Sequence, residues 1–167
     1  QMLVVDDGDG MGIKAVKSLN DTRVTAVQNP GAGQVDARNH ALELASADII
    51  HLLDDDDRWI ETTHLERVLA SLKNQKALLH VGGWLVFEEQ LEKGWVELER
   101  RDFNPITTAD SLRHDNTILT SGVAYPKILH KELGVFDQHM GNYWDWDWWL
   151  RVTAQYPLLT LLEPTVL

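Results

Sequence analysis

The sequence predicts an α/β fold, a Rossmann-like and mostly parallel sheet with helices on both faces and a small mixed region in its second half. Three observations predict it. Over residues 1–76, short apolar runs alternate with stretches of helical period, the order that builds a parallel sheet. Glycine and aspartate cluster just after two of those apolar runs, where open sheets place their ligands. The chain has 167 residues, 44% of them hydrophobic, which suits one domain with a core of its own.

The elements follow in order. Met2–Val5 reads as a buried strand ending at Asp6-Asp7-Gly8, and Gly8, Gly10 and Gly12 form a flexible loop. Ile13–Leu19 has Ile13, Val16 and Leu19 on one helical face. Arg23–Val27 is a second strand, and Asn29-Pro30-Gly31 is a turn. Val35–Ala45 carries Val35, Leu42 and Ala45 on one stripe. Asp48–Leu53 is a third strand running into four aspartates, Asp54–Asp57. Glu61–Leu72 repeats Leu65, Val68, Leu69 and Leu72 at helical spacing, a stripe expected to face the core. Beyond it, Ala77–Phe87 and Trp95–Leu98 read as strands joined by an acidic loop. Asn104–His114 reads as loop with a short helix, Ile118–Tyr125 as strand, Tyr143–Gln155 as helix, and Leu158–Leu162 as a last strand.

Composition excludes several functions. The net charge of -11 argues against nucleic acid, whose phosphates need clustered Lys and Arg. Cysteine is absent, so disulfides and thiolate metal sites are ruled out, and a cytoplasmic setting fits. No apolar run approaches the roughly 20 residues of a membrane helix. There is no Gly-x-x-x-x-Gly-Lys-Ser/Thr loop and no Gly-x-Gly-x-x-Gly order. The seven histidines are scattered, with no His-x-x-x-His pair to suggest zinc. The chain opens inside a strand, from which we expect that a piece of the natural N-terminus is missing.

Four consecutive aspartates after a strand repel one another. If the chain stays extended past Leu53, Asp54 and Asp56 point one way and Asp55 and Asp57 the other. Two carboxylates on one side suit a divalent ion that completes its shell with phosphates. The plainer alternative is a solvated loop leading into a helix. The seven tryptophans, four of them within Trp144–Trp149, can stack on sugar rings or fill the core. Gly82-Gly83-Trp84 and Ser121-Gly122 mark either close approach of a ligand or packing.

Four stretches taken in order, VVDDG, NPGAGQVDARNHAL, ADIIHLLDDDDRW and DWDWWLR, resemble the landmarks of the family 2 glycosyltransferases. The resemblance implies the GT-A fold in a single domain over residues 1–167, with a nucleotide-binding half (1–76) and an acceptor-binding half (77–167). It implies a metal-dependent, inverting hexosyltransferase that uses Mn²⁺ or Mg²⁺. The donor would be a nucleotide-diphosphate sugar, a UDP-sugar first among them, and the acceptor a saccharide or lipid-linked hydroxyl. A homodimer is compatible, and any tie to a membrane would run through the acceptor.

Position by position, the resemblance assigns Asp7 to the nucleotide base, Asp55 to the ribose and Arg38 to the nucleotide pocket. It assigns Asp54 and Asp56 to the metal and Asp145 to the acceptor hydroxyl as catalytic base, with Asp147 a rival. Trp84, Gly122 and Trp144 are weaker candidates for sugar or acceptor contacts. The chain departs from the family in three places. Nothing matches the family's first strand, Asp9-Gly10-Met11 replaces Ser-Thr-Asp, and Trp144 stands where a Glu-Asp pair has its Glu. Two other classes are weighed: a degenerate nucleotide- or sugar-binding module of the same fold, and a nucleotidyltransferase, for which basic residues are scarce.

Overall fold

The computed structural model describes every residue, Gln1–Leu167, and the chain folds as two compact units, each built from two segments. The first comprises Gln1–Ile50 and Lys127–Arg151, the second His51–Pro126 and Val152–Leu167.

In the first unit, β1 (Met2–Asp6) and β2 (Val24–Gln28) pair in parallel, Met2 opposite Val24 and Asp6 opposite Gln28. Helix α1 (Met11–Leu19) joins them, with Ile13 and Val16 half-buried and Leu19 exposed. Helix α2 (Gln34–Leu44) buries Val35 and Leu42, as its apolar spacing requires. The short strand β3 (Ile49–His51) begins at the end of this segment, and its last residue is the first of the second unit. Helix α4 (Ile128–Leu133), which the sequence reading missed, and the first eight residues of α5 (Trp144–Thr153) complete the unit.

Aromatic rings make most of its core. Trp148 and Trp149 are fully buried. His130 lies flat on Trp148 with centroids 3.9 Å apart, and Phe136 meets Trp144 edge-on at 4.8 Å. Burial at this stack pushes His130 down to about 4, so it is a neutral core ring at neutral pH.

The second unit is organised by β4 (Leu78–Leu91), whose first six residues are buried. Leu79 pairs with Ala124 of β6 (Val123–Pro126) and with Leu159 of β7 (Leu158–Val166). Gly83 pairs with Phe103 of β5 (Gly94–Phe103) and with Val166 of β7. Strand β7 therefore takes one edge of β4, while β6 and β5 share the other. The β5 and β6 pairings are antiparallel and the β7 pairing is parallel, so this sheet is mixed, in the half of the chain where a mixed region was expected.

Helix α3 (His64–Leu72) starts three residues later than expected, after a turn closed by His64 N–H to the Glu61 carbonyl at 3.2 Å. It buries His64, Val68 and Leu72, while Leu65 and Leu69 are about half exposed. The stripe is thus rotated from the expected one, because a histidine takes a core position. Residues expected as strand before β6 instead form a 3₁₀ turn, Thr120–Gly122. Strands β4 and β5 run longer than expected and meet through the two-residue loop Glu92-Lys93, Leu91 opposite Gly94.

Candidate active site

The first unit carries Asp7, Arg38 and Asp145. Asp6 ends β1 and Asp7 follows it, and the two point to different tasks. The buried Asp6 carboxylate accepts from the amides of Gly8 at 2.9 Å, Gly10 at 3.3 Å and Ile13 at 3.2 Å. It thereby orders the glycine loop and caps α1. The Gly8 amide above all, with those of Ile13 and Gly10, holds its carboxyl below the usual carboxylate range. Asp7 is exposed and accepts from Gly33 N–H at 2.9 Å and from the Asn29 side-chain amide at 2.6 Å. A carboxylate has about four acceptor positions, more than these contacts fill.

Arg38 bonds the Gln34 carbonyl at 3.2 Å, and its guanidinium lies 4.3 Å over the Trp144 ring. Arg38, expected at the nucleotide pocket, is thus stacked on the residue that precedes Asp145. Asn39 beside it donates to the Phe136 carbonyl at 2.9 Å and accepts from Phe136 N–H at 3.1 Å. This reciprocal pair fixes the segment leading to α5. It went unread in the sequence, although a polar residue inside the Ala-Arg-Asn stretch was a signal for it.

In the first turn of α5, Asp145 is half-buried and accepts from Trp146 N–H at 2.7 Å. Asp147 is held by Arg151, with Nη2 at 2.7 Å. Arg151 also donates to the carbonyls of Leu133 at 2.8 Å and Val135 at 3.0 Å. Asp147 is therefore committed to a structural ion pair, which weakens its claim as the base. Trp144 is buried against Phe136 beneath Arg38, a packing position. A cleft of about 550 Å³ beside Asp147 and Arg151 is lined also by Asn39, Asp137, Gln138 and His139.

The second unit carries Asp54–Asp57. The chain does not stay extended past Leu53. Asp55 and Asp56 occupy a turn closed by Asp57 N–H to the Asp54 carbonyl at 3.2 Å. Alternation of side chains across a strand therefore does not sort these carboxylates, and that expectation is corrected. Asp55 and Asp56 are exposed, while Asp54 and Asp57 are half-buried.

The backbone is pinned on both sides of the turn. Leu52 N–H reaches the Val123 carbonyl at 3.0 Å and Asp54 N–H reaches Ser121 Oγ at 2.9 Å. Beyond it, Arg58 and Leu167 exchange backbone bonds at 2.7 and 2.8 Å, and Ile60 N–H reaches the Thr165 carbonyl at 3.0 Å. A turn held this firmly can keep four like charges together.

Behind it lies a pair that sequence spacing hid. His51 Nε2 and His64 Nε2 are 2.7 Å apart, and the Trp59 ring stacks on His64 at 4.8 Å. The Leu52 carbonyl only accepts, so His51 Nδ1 donates to it at 3.0 Å. His51 Nε2 then accepts from His64 Nε2–H, and His64 Nδ1 accepts from the Thr165 hydroxyl at 2.5 Å. Both rings are satisfied while neutral. Burial, then His64, pushes His51 down to about 3, and burial lowers His64 as well.

Gly122 is buried, and a Cβ there would fall 2.3 Å from the Val81 carbonyl, so packing on β4 demands the glycine. Trp84 is half-buried with Arg100 5.8 Å over its ring. No three His, Asp or Glu side chains converge anywhere in the chain. The oxygen-only donor set of the acidic turn fits a hard divalent ion that takes part of its shell from a diphosphate and water.

The model of the family described as Glycosyl transferase family 2 matches residues 1–134. The chain belongs to that family. It is 32% identical over 158 residues to the uncharacterized glycosyltransferase YwdF of Bacillus subtilis, covering 93% of this chain and 58% of that protein. It is 23% identical over 167 residues to the uncharacterized glycosyltransferase RT0329 of Rickettsia typhi, covering 93% of this chain and 51% of that protein. The chain thus spans little more than half the length of these relatives. The crystal structure of S. aureus TarS 1–349 matches with TM-score 0.69 at 18% identity, over 98% of this chain and 49% of TarS, and further TarS structures contain UDP or UDP-GlcNAc. This likeness establishes the GT-A α/β fold for the family 2 chain. No helix in it is long and apolar enough to cross a membrane.

Proposed function

We propose that this chain is the catalytic domain of a metal-dependent, inverting glycosyltransferase that moves a hexose from a UDP-sugar to a saccharide or lipid-linked hydroxyl. The observation that carries the reading is the acidic turn, where the backbone is fixed on both sides and the Asp55 and Asp56 side chains face solvent. The TarS structures with UDP and UDP-GlcNAc support the choice of donor.

In this reading Asp54 and Asp56 hold Mn²⁺ or Mg²⁺, which would offset charge on the departing diphosphate. Asp55 takes the ribose and Asp7 the base. Asp145 removes the acceptor proton, because the Arg151 ion pair leaves Asp147 poorly suited to the task. Arg38, stacked on Trp144, ties the nucleotide side of the first unit to the start of α5. We place the protein in the cytoplasm, meeting a membrane only through its acceptor.

Transfer assays with a panel of UDP-sugars and Mn²⁺ test this directly. Asp145→Asn is expected to lower turnover by about 10²- to 10⁴-fold while UDP affinity is kept. Full turnover in that variant would refute the assignment. A second reading, a binding module without turnover, is favoured by Trp144, which fills with a buried ring the place of the family's glutamate. It predicts UDP binding with no transfer or hydrolysis for any donor.

A further inference from the structure

Ser121 belongs to neither the acidic turn nor the helix that carries Asp145, yet it grips the chain on both sides of that turn. It is fully buried. Its Oγ accepts from Asp54 N–H at 2.9 Å, and its carbonyl accepts from the Trp59 indole N–H at 2.9 Å. These two points bracket Asp55, Asp56 and Asp57. We propose that Ser121 is a positioning residue for donor binding, acting through Asp54 to set where the acidic turn presents its carboxylates.

The inference rests on the reading of that turn as the metal and diphosphate site. Two features make Ser121 a fixed post rather than a passive neighbour. Its own segment is locked: Gly122 N–H closes the 3₁₀ turn onto the Leu119 carbonyl at 3.0 Å, and Gly122 sits directly against the Val81 carbonyl. The second grip is also braced, because Trp59 stacks on His64 and His64 is tied to Thr165. Movement at either contact is therefore opposed by the sheet.

Loss of the hydroxyl would free one end of the turn while the other stayed braced. Asp54 would then drift relative to Asp56, weakening whatever both carboxylates hold together. Residues that merely stabilise the fold have no such selective effect.

The test titrates Mn²⁺ by electron paramagnetic resonance, with and without UDP, into wild type, Ser121→Ala and Thr107→Ala. Thr107 is a control, a buried residue whose hydroxyl bonds the Pro105 carbonyl at 3.4 Å and the Thr117 hydroxyl at 2.8 Å. Ser121→Ala is expected to weaken Mn²⁺ retention with UDP about five- to tenfold, the worth of one hydrogen bond, and to alter the spectrum of the bound ion. Binding of UDP in metal-free buffer should be unchanged, and Thr107→Ala should match wild type throughout.

Equal Mn²⁺ retention in wild type and Ser121→Ala, with the same spectrum, overturns the positioning role. Failure of wild type to retain Mn²⁺ with UDP overturns the donor-site reading instead, and the positioning role with it. If Ser121→Ala does not fold, Ser121→Cys keeps the shape, weakens the acceptor and carries the same comparison.

Discussion

Asp6-Asp7 and Asp54–Asp57 both follow strands, and they use their charge in opposite ways. At the first stretch the carboxylates hold the backbone: Asp6 gathers three amides of the glycine loop, and Asp7 secures Gly33 and Asn29. At the second the backbone is held by others, by Ser121, Val123, Thr165 and Leu167, and the Asp55 and Asp56 side chains face solvent. Acidic residues spent on amides build a loop. Where other groups fix the backbone, as at the second stretch, the carboxylates are not needed to build the loop.

The sharpest way to break this contrast is to exchange the two signatures. Asp56→Ala should weaken Mn²⁺-dependent UDP binding by at least about 100-fold, read by calorimetry, with little change in Tm. A large fall in Tm there would make the second stretch structural like the first. Asp6→Ala should show the opposite pattern. Tm is expected to fall by roughly 2–4 °C as the amides of Gly8, Gly10 and Ile13 lose their acceptor, with UDP affinity affected less. An unchanged melting curve would show that the loop does not depend on that carboxylate.

A smaller effect concerns the histidines held neutral by burial, among them His80, whose ring bonds the Thr160 hydroxyl at 2.9 Å. His51 lies at about 3, His80 and His130 at about 4, and His64 is also below its ordinary value of 6.5. The unfolded chain therefore takes up protons first as pH falls. Stability is full above about 6.5 and declines as pH drops from there toward these lower values. Melting between about pH 7 and pH 5 should show this slope, and His51→Asn should make it shallower. An identical slope in the variant would mean that the His51–His64 pair is not the buried neutral pair described here.

Much of this was legible in the sequence because its signals were local. The order of strands and helices through residue 72, the Val35 and Leu42 stripe, and the four family landmarks all depend on neighbours in the chain. What was missed depends on distant partners. His64 counts as polar in any periodicity, so the core face of α3 was placed on Leu65, Val68, Leu69 and Leu72, of which only Val68 and Leu72 are buried, and only Thr165 and His51 make the burial of His64 intelligible. The turn at Asp55-Asp56 follows from anchors 67 residues away, at Ser121, which no local pattern announces. The same holds for Asn39, whose partner Phe136 lies 97 residues further on. The strand expected over Ile118–Tyr125 was shortened because close packing of Gly122 on Val81 favours a tight turn there.

The central claim is that the acidic turn holds a divalent ion which in turn holds a nucleotide diphosphate. Calorimetric titration of wild type with UDP, once with Mn²⁺ and once after chelation, tests it most directly. The account predicts saturable binding that is lost or strongly weakened when the metal is removed. UDP binding of equal strength with and without Mn²⁺, or none in either condition, would contradict it.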